Sequence, residues 1–161
     1  MARNSGFIKD TRVWDSMKKN LLKGNYKSLD VGFFDEYYGP ENDNLPVALV
    51  AHWQEEGTEK IPKRPFIRNG FMDDNVKKEA WITAEVKQML DAVAMGRMTW
   101  NQLYHRLGPV MVKIMQKEIE MWSIPMNAPR TVELKSFNDP LIDTGKMLDS
   151  VEYRVADGRD L

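Results

Sequence analysis

The sequence contains no cysteine. Disulfides, thiolate nucleophiles and cysteine-ligated zinc are excluded with it. No apolar run approaches the roughly 20 residues of a membrane span, and the opening MARNSGFIKD has no apolar stretch of the kind a secretory signal needs. Neither sign of charge is in excess: 23 Lys and Arg stand against 24 Asp and Glu, a net charge of -1. Strong non-specific binding to nucleic acid needs a clear basic surplus and is not expected here. There is no Gly-rich phosphate loop, no G-x-S-x-G elbow for a serine nucleophile, no repeat and no low-complexity tract. No cofactor is implied.

What is present is the composition of a folded domain. The 161 residues are 42% apolar and 29% charged, with both signs mixed, which is globular rather than disordered. One domain over 1–161 is expected, opening with a helical segment over about 1–25. Eleven methionines suit adaptable cores and assembly surfaces.

DTRVWDSMKKNLLK (10–23) sets Val13, Trp14, Met17, Leu21 and Leu22 at helical spacing, with Gly24 and Asn25 as a stop. SLDVGFF (28–34) reads as a strand, YYGPENDN as a loop, and 45–56 as a helix with Pro46 in its first turn and Gly57 at its end. EGTEKIPKRPF (56–66) reads as a surface loop. A long helix follows, capped by Asp73 or Asp74, lined by Ile82, Val86, Met89, Leu90 and Val93, and ended by Gly96. Thr99 and Gln102 match a capping box and start another helix at Trp100. Gly108-Pro109 is expected to interrupt it, with a further helix carrying Val110, Met111, Ile114, Met115 and Trp122. The stretch from Ile124 to Gly145 reads as extended chain with one short helix at 131–135, and SVEYRV (150–155) as a last strand. The class is α+β: several helices on a small, mainly antiparallel sheet, with long interaction loops.

LIDTGKML (141–148) contains Asp-Thr-Gly after two apolar residues, the mark of an aspartic peptidase subunit. Such an enzyme pairs two carboxylates across a homodimer so that they share a proton. A retroviral-type subunit needs several strands after the motif, whereas only the short segment ending at Leu161 follows Gly145. Lys146 also takes the place of a small residue and would set a cation beside the dyad. The structural alternative is that Asp143 caps a short helix over 144–148. His52 and Glu56 have i, i+4 spacing, but no third metal ligand of equal quality accompanies them. The aromatic set Trp81, Trp100 and Trp122 reads as core or interface rather than a base-stacking platform. A generic helical interaction module is the remaining alternative.

Two blocks together carry a resemblance. VALVAHWQEEGTEKIPKRPFIRNGF contains E-x-G-T followed by I-P-x-R-P-F, and IPMNAPRTVELKSFNDPLIDTGKMLDSVEYRV closes the chain with Asn-Ala-Pro-x-Thr, a lysine and Pro-Leu-Ile-Asp-Thr-Gly. In order and spacing they resemble the tailed-phage virion morphogenesis proteins, the tail-completion or head–tail joining family. The matching positions are Glu56, Gly57, Thr58, Pro62, Arg64, Pro65, Phe66, Asn127, Thr131, Lys135, Pro140, Leu141, Asp143, Thr144, Gly145 and Ser150, and the resemblance spans about 28–156. Met147 stands where the family has Leu, and Met126 where a second Pro is common; both remain apolar.

The resemblance implies a structural virion protein without catalysis, located at the neck or head–tail junction and made in the host cytoplasm. Its partners would be copies of itself in a ring of roughly six, or about twelve, closed by rotation. Neck or connector proteins would lie on the head side, and tail-tube or terminator proteins on the tail side. No membrane and no specific nucleic acid are implied, although DNA would pass through the ring. Asp-Thr-Gly then becomes a turn and cap. Hot spots favour Arg and aromatic side chains, so Lys63, Arg64, Phe66 and Arg68 of the proline-stiffened loop are expected to contact a neighbouring subunit or neck partner.

Overall fold

The computed structural model describes residues 11–23, 27–72 and 76–157. The Gly24-Asn25 stop, the Asp73/Asp74 cap and the side chain of Trp81 lie outside what is described. Strands β1 (Lys27–Phe33) and β2 (Val151–Asp157) pair antiparallel, from Lys27 opposite Asp157 to Phe33 opposite Val151. Seven α-helices accompany them among the described residues: α1 (Arg12–Leu22), α2 (Val47–Glu56), α3 (Phe66–Met72), α4 (Val76–Ala94), α5 (Trp100–Met121), α6 (Pro129–Lys135) and α7 (Lys146–Asp149). A 3-10 turn lies at Pro40–Asn42. The fold is α+β: α5 and α2 pack on the two-stranded antiparallel sheet, α3, α4 and α7 pack on α5, and α1 packs on α4.

Helix α5 organises the molecule. Its start is the expected capping box: Gln102 N donates to Thr99 Oγ1 at 3.2 Å, and Thr99 N donates to Gln102 Oε1 at 2.9 Å. The break expected at Gly108-Pro109 does not occur, and α5 runs unbroken for 22 residues. Proline removes one amide from the ladder, but both halves of the helix are anchored. Leu103 and Tyr104 are buried on the near side of Pro109, and Met115 and Ile119 on the far side. Gly108 is required by contact: a Cβ there would lie 2.3 Å from the Tyr153 ring of β2.

Two apolar clusters lie along α5. Near its start, Leu103 and Tyr104 pack with Met89 and Val93 of α4, and the Tyr104 hydroxyl donates to the Lys27 carbonyl at 2.9 Å. Towards its end, Met115 and Ile119 pack with Val47, Ala51, Phe66 and Met147. Asn20 ties α1 to the first region: its amide donates to the Ala94 carbonyl at 3.1 Å, and its own carbonyl accepts from Trp100 Nε1 at 3.0 Å.

Helix α3 had no local signal in the sequence. FIRNGFM contains Asn and Gly, both poor helix formers. It begins where it does because buried Glu55 of α2 receives the amides of Ile67 at 2.8 Å and Arg68 at 3.1 Å. A carboxylate at a helix N-terminus satisfies otherwise orphaned amides and complements the dipole.

Candidate interaction cleft

The first wall of the cleft is the segment after α2. Gly57 ends that helix with φ 76, a left-handed value that favours glycine. A Cβ on it would meet Lys63 N at 3.0 Å, so the returning chain passes directly over it. Thr58 closes the turn: its Oγ1 accepts from Lys60 N at 3.2 Å and Ile61 N at 3.0 Å, and its own amide donates to the Ile61 carbonyl at 2.8 Å. Pro62 and Pro65 then carry the chain extended into α3.

Arg64 points inward and is 4% exposed. Its guanidinium donates to Gln54 Oε1 at 2.6 Å, to the carbonyls of Pro125 at 3.1 Å and Met126 at 3.2 Å, and to Asn127 Oδ1 at 3.3 Å. Burial lowers its pKa from the ordinary arginine value. Phe66 is fully buried, edge-on to Phe33 with ring centroids 6.4 Å apart. The expectation that Arg64 and Phe66 contact a neighbouring subunit is therefore corrected. The planar fork of Arg64 serves carbonyls of its own chain, and Phe66 fills its own core. Lys63 and Arg68 do lie on the surface, each bound to Glu56, at 2.9 and 3.2 Å. The Lys63 hydrogen bond, with the Lys63 charge second, holds the Glu56 carboxyl below its ordinary range.

The second wall is the chain after α5. Asn127 accepts from Arg64 and binds 138–139 in turn, with its amide N donating to Asn138 Oδ1 and its Nδ2 to the Asp139 carbonyl. Lys135 closes α6 onto the same strap by donating to the carbonyls of Asp139 and Ile142. Burial lowers the Lys135 pKa, opposed by the charges of Asp143 and Asp139. Pro140 and Leu141 are buried beneath.

Asp143 and Thr144 are exposed. The residue at the N-cap of α7 is Gly145, with φ 82 and no side-chain cap, and the contact beside it is Lys146 N to Thr144 Oγ1 at 3.3 Å. The cap expected from Asp143 is thus absent: α7 starts two residues later than expected, out of that carboxylate's register. Ser150 locks the far end, its buried hydroxyl donating to the Lys146 carbonyl at 2.6 Å. Lys146 forms an ion pair with Glu36.

Between the walls lies a cleft of about 320 Å³, floored by Leu45, Val50, Leu141 and Met147 and edged by Tyr38, Asn42, Lys60, Thr131 and Asp143. Burial, and secondarily the Asp143 charge, raises the Tyr38 pKa. Most of the cleft's basic groups are engaged internally: Arg64 and Lys135 by carbonyls, Lys146 by Glu36. His52 is exposed on α2, and no group of three metal-ligating side chains occurs among the described residues. Trp100 and Trp122 pack against the two core clusters. Sequence reasoning missed Gln54, Glu55 and Tyr38, whose partners are distant in the chain. An apolar floor with a polar rim is the general form of a ligand-binding concavity. No protein-family model, no curated protein and no solved structure matches this chain.

Proposed function

We propose that this chain is a non-enzymatic structural protein of a tailed-phage virion. In this reading it completes the head-proximal end of the tail or neck and joins head to tail as a ring. One observation carries the reading. The two blocks on which the resemblance to tail-completion proteins rests are far apart in sequence, yet Arg64 of the first bonds Asn127 of the second, and together they wall one cleft.

The surface beside the cleft also favours a protein partner. Met121, Ile124, Met126 and Leu134 are exposed around the end of α5 and on α6, with Ile124 at 78% and Leu134 at 79%. Contiguous exposed apolar side chains mark interaction surfaces, and Met121, Ile124 and Met126 lie within one short stretch of chain. Neck or connector proteins on one side and tail proteins on the other are the partners this reading assigns. The test is disruption of the gene in the phage genome that carries it. Unjoined heads and tails are expected, with infectious particles restored by the gene in trans; normal particles without it would refute the proposal.

A further inference from the structure

Helix α1 carries large apolar side chains that the described residues leave exposed. Trp14 is 57% exposed and Leu22 61%, whereas Met17 and Asn20 on the other side are half-buried. At 100° per residue, Trp14, Lys18 and Leu22 follow one another around the outward face, and Lys19 lies beyond Leu22. Lys18 Nζ stands 5.2 Å from the centre of the Trp14 ring. Residues 11–23 hold four basic side chains and one acid, a local surplus of three positive charges.

A surface of opposite character occurs at the other end of the molecule. Residues 35–44, DEYYGPENDN, hold four acids and no base. Asp35 and Glu36 have partners in Arg154 and Lys146, and Glu41, Asp43 and Tyr37 are exposed, Tyr37 at 56%. The loop is preformed: Tyr38 N bonds the Leu45 carbonyl, Asn44 N the Gly39 carbonyl and Asp43 N the Pro40 carbonyl. It leaves the sheet beyond Phe33, whereas Asn20 and Tyr104 tie α1 and the Lys27 end of β1 to the start of α5. The length of β1, roughly 20 Å at strand rise, separates the two ends, so α1 cannot meet this loop in its own chain.

We infer that α1 of one copy docks through Trp14, Leu22, Lys18 and Lys19 onto the Tyr37–Asp43 loop of a second copy. Unlike patches at opposite ends of one subunit make a heterologous contact, which repeats head to tail and closes into a ring when its rotation allows. Charge complementarity selects the partner, and the apolar contact of Trp14 and Leu22 stabilises it. The inference names the subunit contact of the proposed ring and rests on that reading for its setting.

The test is the mass of the purified full chain by sedimentation across a wide concentration range. The wild type should associate. Lys18→Glu with Lys19→Glu, or Glu41→Lys with Asp43→Asn, should each weaken association by about tenfold or more, since each removes attraction and adds repulsion. Mixing the two variants should restore it, because each supplies the surface the other lacks; so should combining all four changes in one chain, which also guards against a variant that merely misfolds. Association unchanged by either variant, or no restoration on mixing, overturns the inference. A chain that stays monomeric but binds anionic vesicles or duplex DNA through Lys18 and Lys19 overturns it in favour of that partner. Because the readout is the mass of the free chain, its failure is separate from failure of the virion assignment, which gene disruption tests.

Discussion

Replacing Arg64 with alanine decides between an internal clasp and an external anchor. The guanidinium makes four hydrogen bonds to groups of its own chain, from 2.6 to 3.3 Å, and the residue is 4% exposed. Alanine removes all four donors and leaves Gln54 Oε1 and two backbone carbonyls without them. Each buried acceptor left unpaired costs about 1–3 kcal/mol, and hydrogen bonds to a charged group are at the strong end. These losses are not additive, and the open cleft lets water replace some of them, so the net expectation is about 3–5 kcal/mol. For a domain of this size that corresponds to a fall in Tm of roughly 6–20 °C. Arg64→Lys keeps the charge but not the fork, and should recover less than about half of the loss. Calorimetry of the purified chain measures both, and amide exchange should show 125–128 opening first. A fall in Tm below about 2 °C for Arg64→Ala would refute the clasp and return Arg64 to the role of an exposed contact.

Other substitutions test the remaining supports. Phe66→Ala empties a fully buried site against Phe33 and should cost about 3–5 kcal/mol in denaturant unfolding; a loss under about 1 kcal/mol would show that its core site is dispensable. Gly108→Ala drives a Cβ to 2.3 Å from the Tyr153 ring, so a loss of about 1–3 kcal/mol is expected, where an exposed helical glycine would gain stability from the same change. Asp143→Asn should leave the unfolding free energy within about 0.5 kcal/mol, since the side chain is exposed and caps nothing. It should also bring the Tyr38 phenol part of the way back towards its ordinary pKa, because the Asp143 charge is the second cause of that shift after burial; ultraviolet titration of the phenols reads this, and an unmoved profile contradicts it.

The elements with local signals were legible in the sequence. The Thr99–Gln102 box fixed the start of α5, Gly57 and Gly96 ended helices with positive φ, and alternation marked β2. What was not legible depends on residues remote in the chain. Helix α3 takes its cap from Glu55, twelve positions before Ile67. The passage of α5 through Pro109 depends on the burial of both its halves, Leu103 and Tyr104 on one side and Met115 and Ile119 on the other. Arg64 looked like an anchor because a prolyl loop with Arg and Phe fits the description of a hot spot. Only the position of 125–127 shows that its fork is already occupied. In the second block, Thr144 and Gly145 take the positions at the start of α7 that local reasoning gave to Asp143.

Imaging of purified virions by electron cryomicroscopy tests whether the chain forms a ring at the head–tail junction, as proposed. If it does, the chain is found among the virion proteins, and a ring of density at the neck takes this α+β subunit, with α1 of each copy against the 35–44 loop of the next. Absence of the chain from purified particles, or its density elsewhere in the virion, would contradict the proposal.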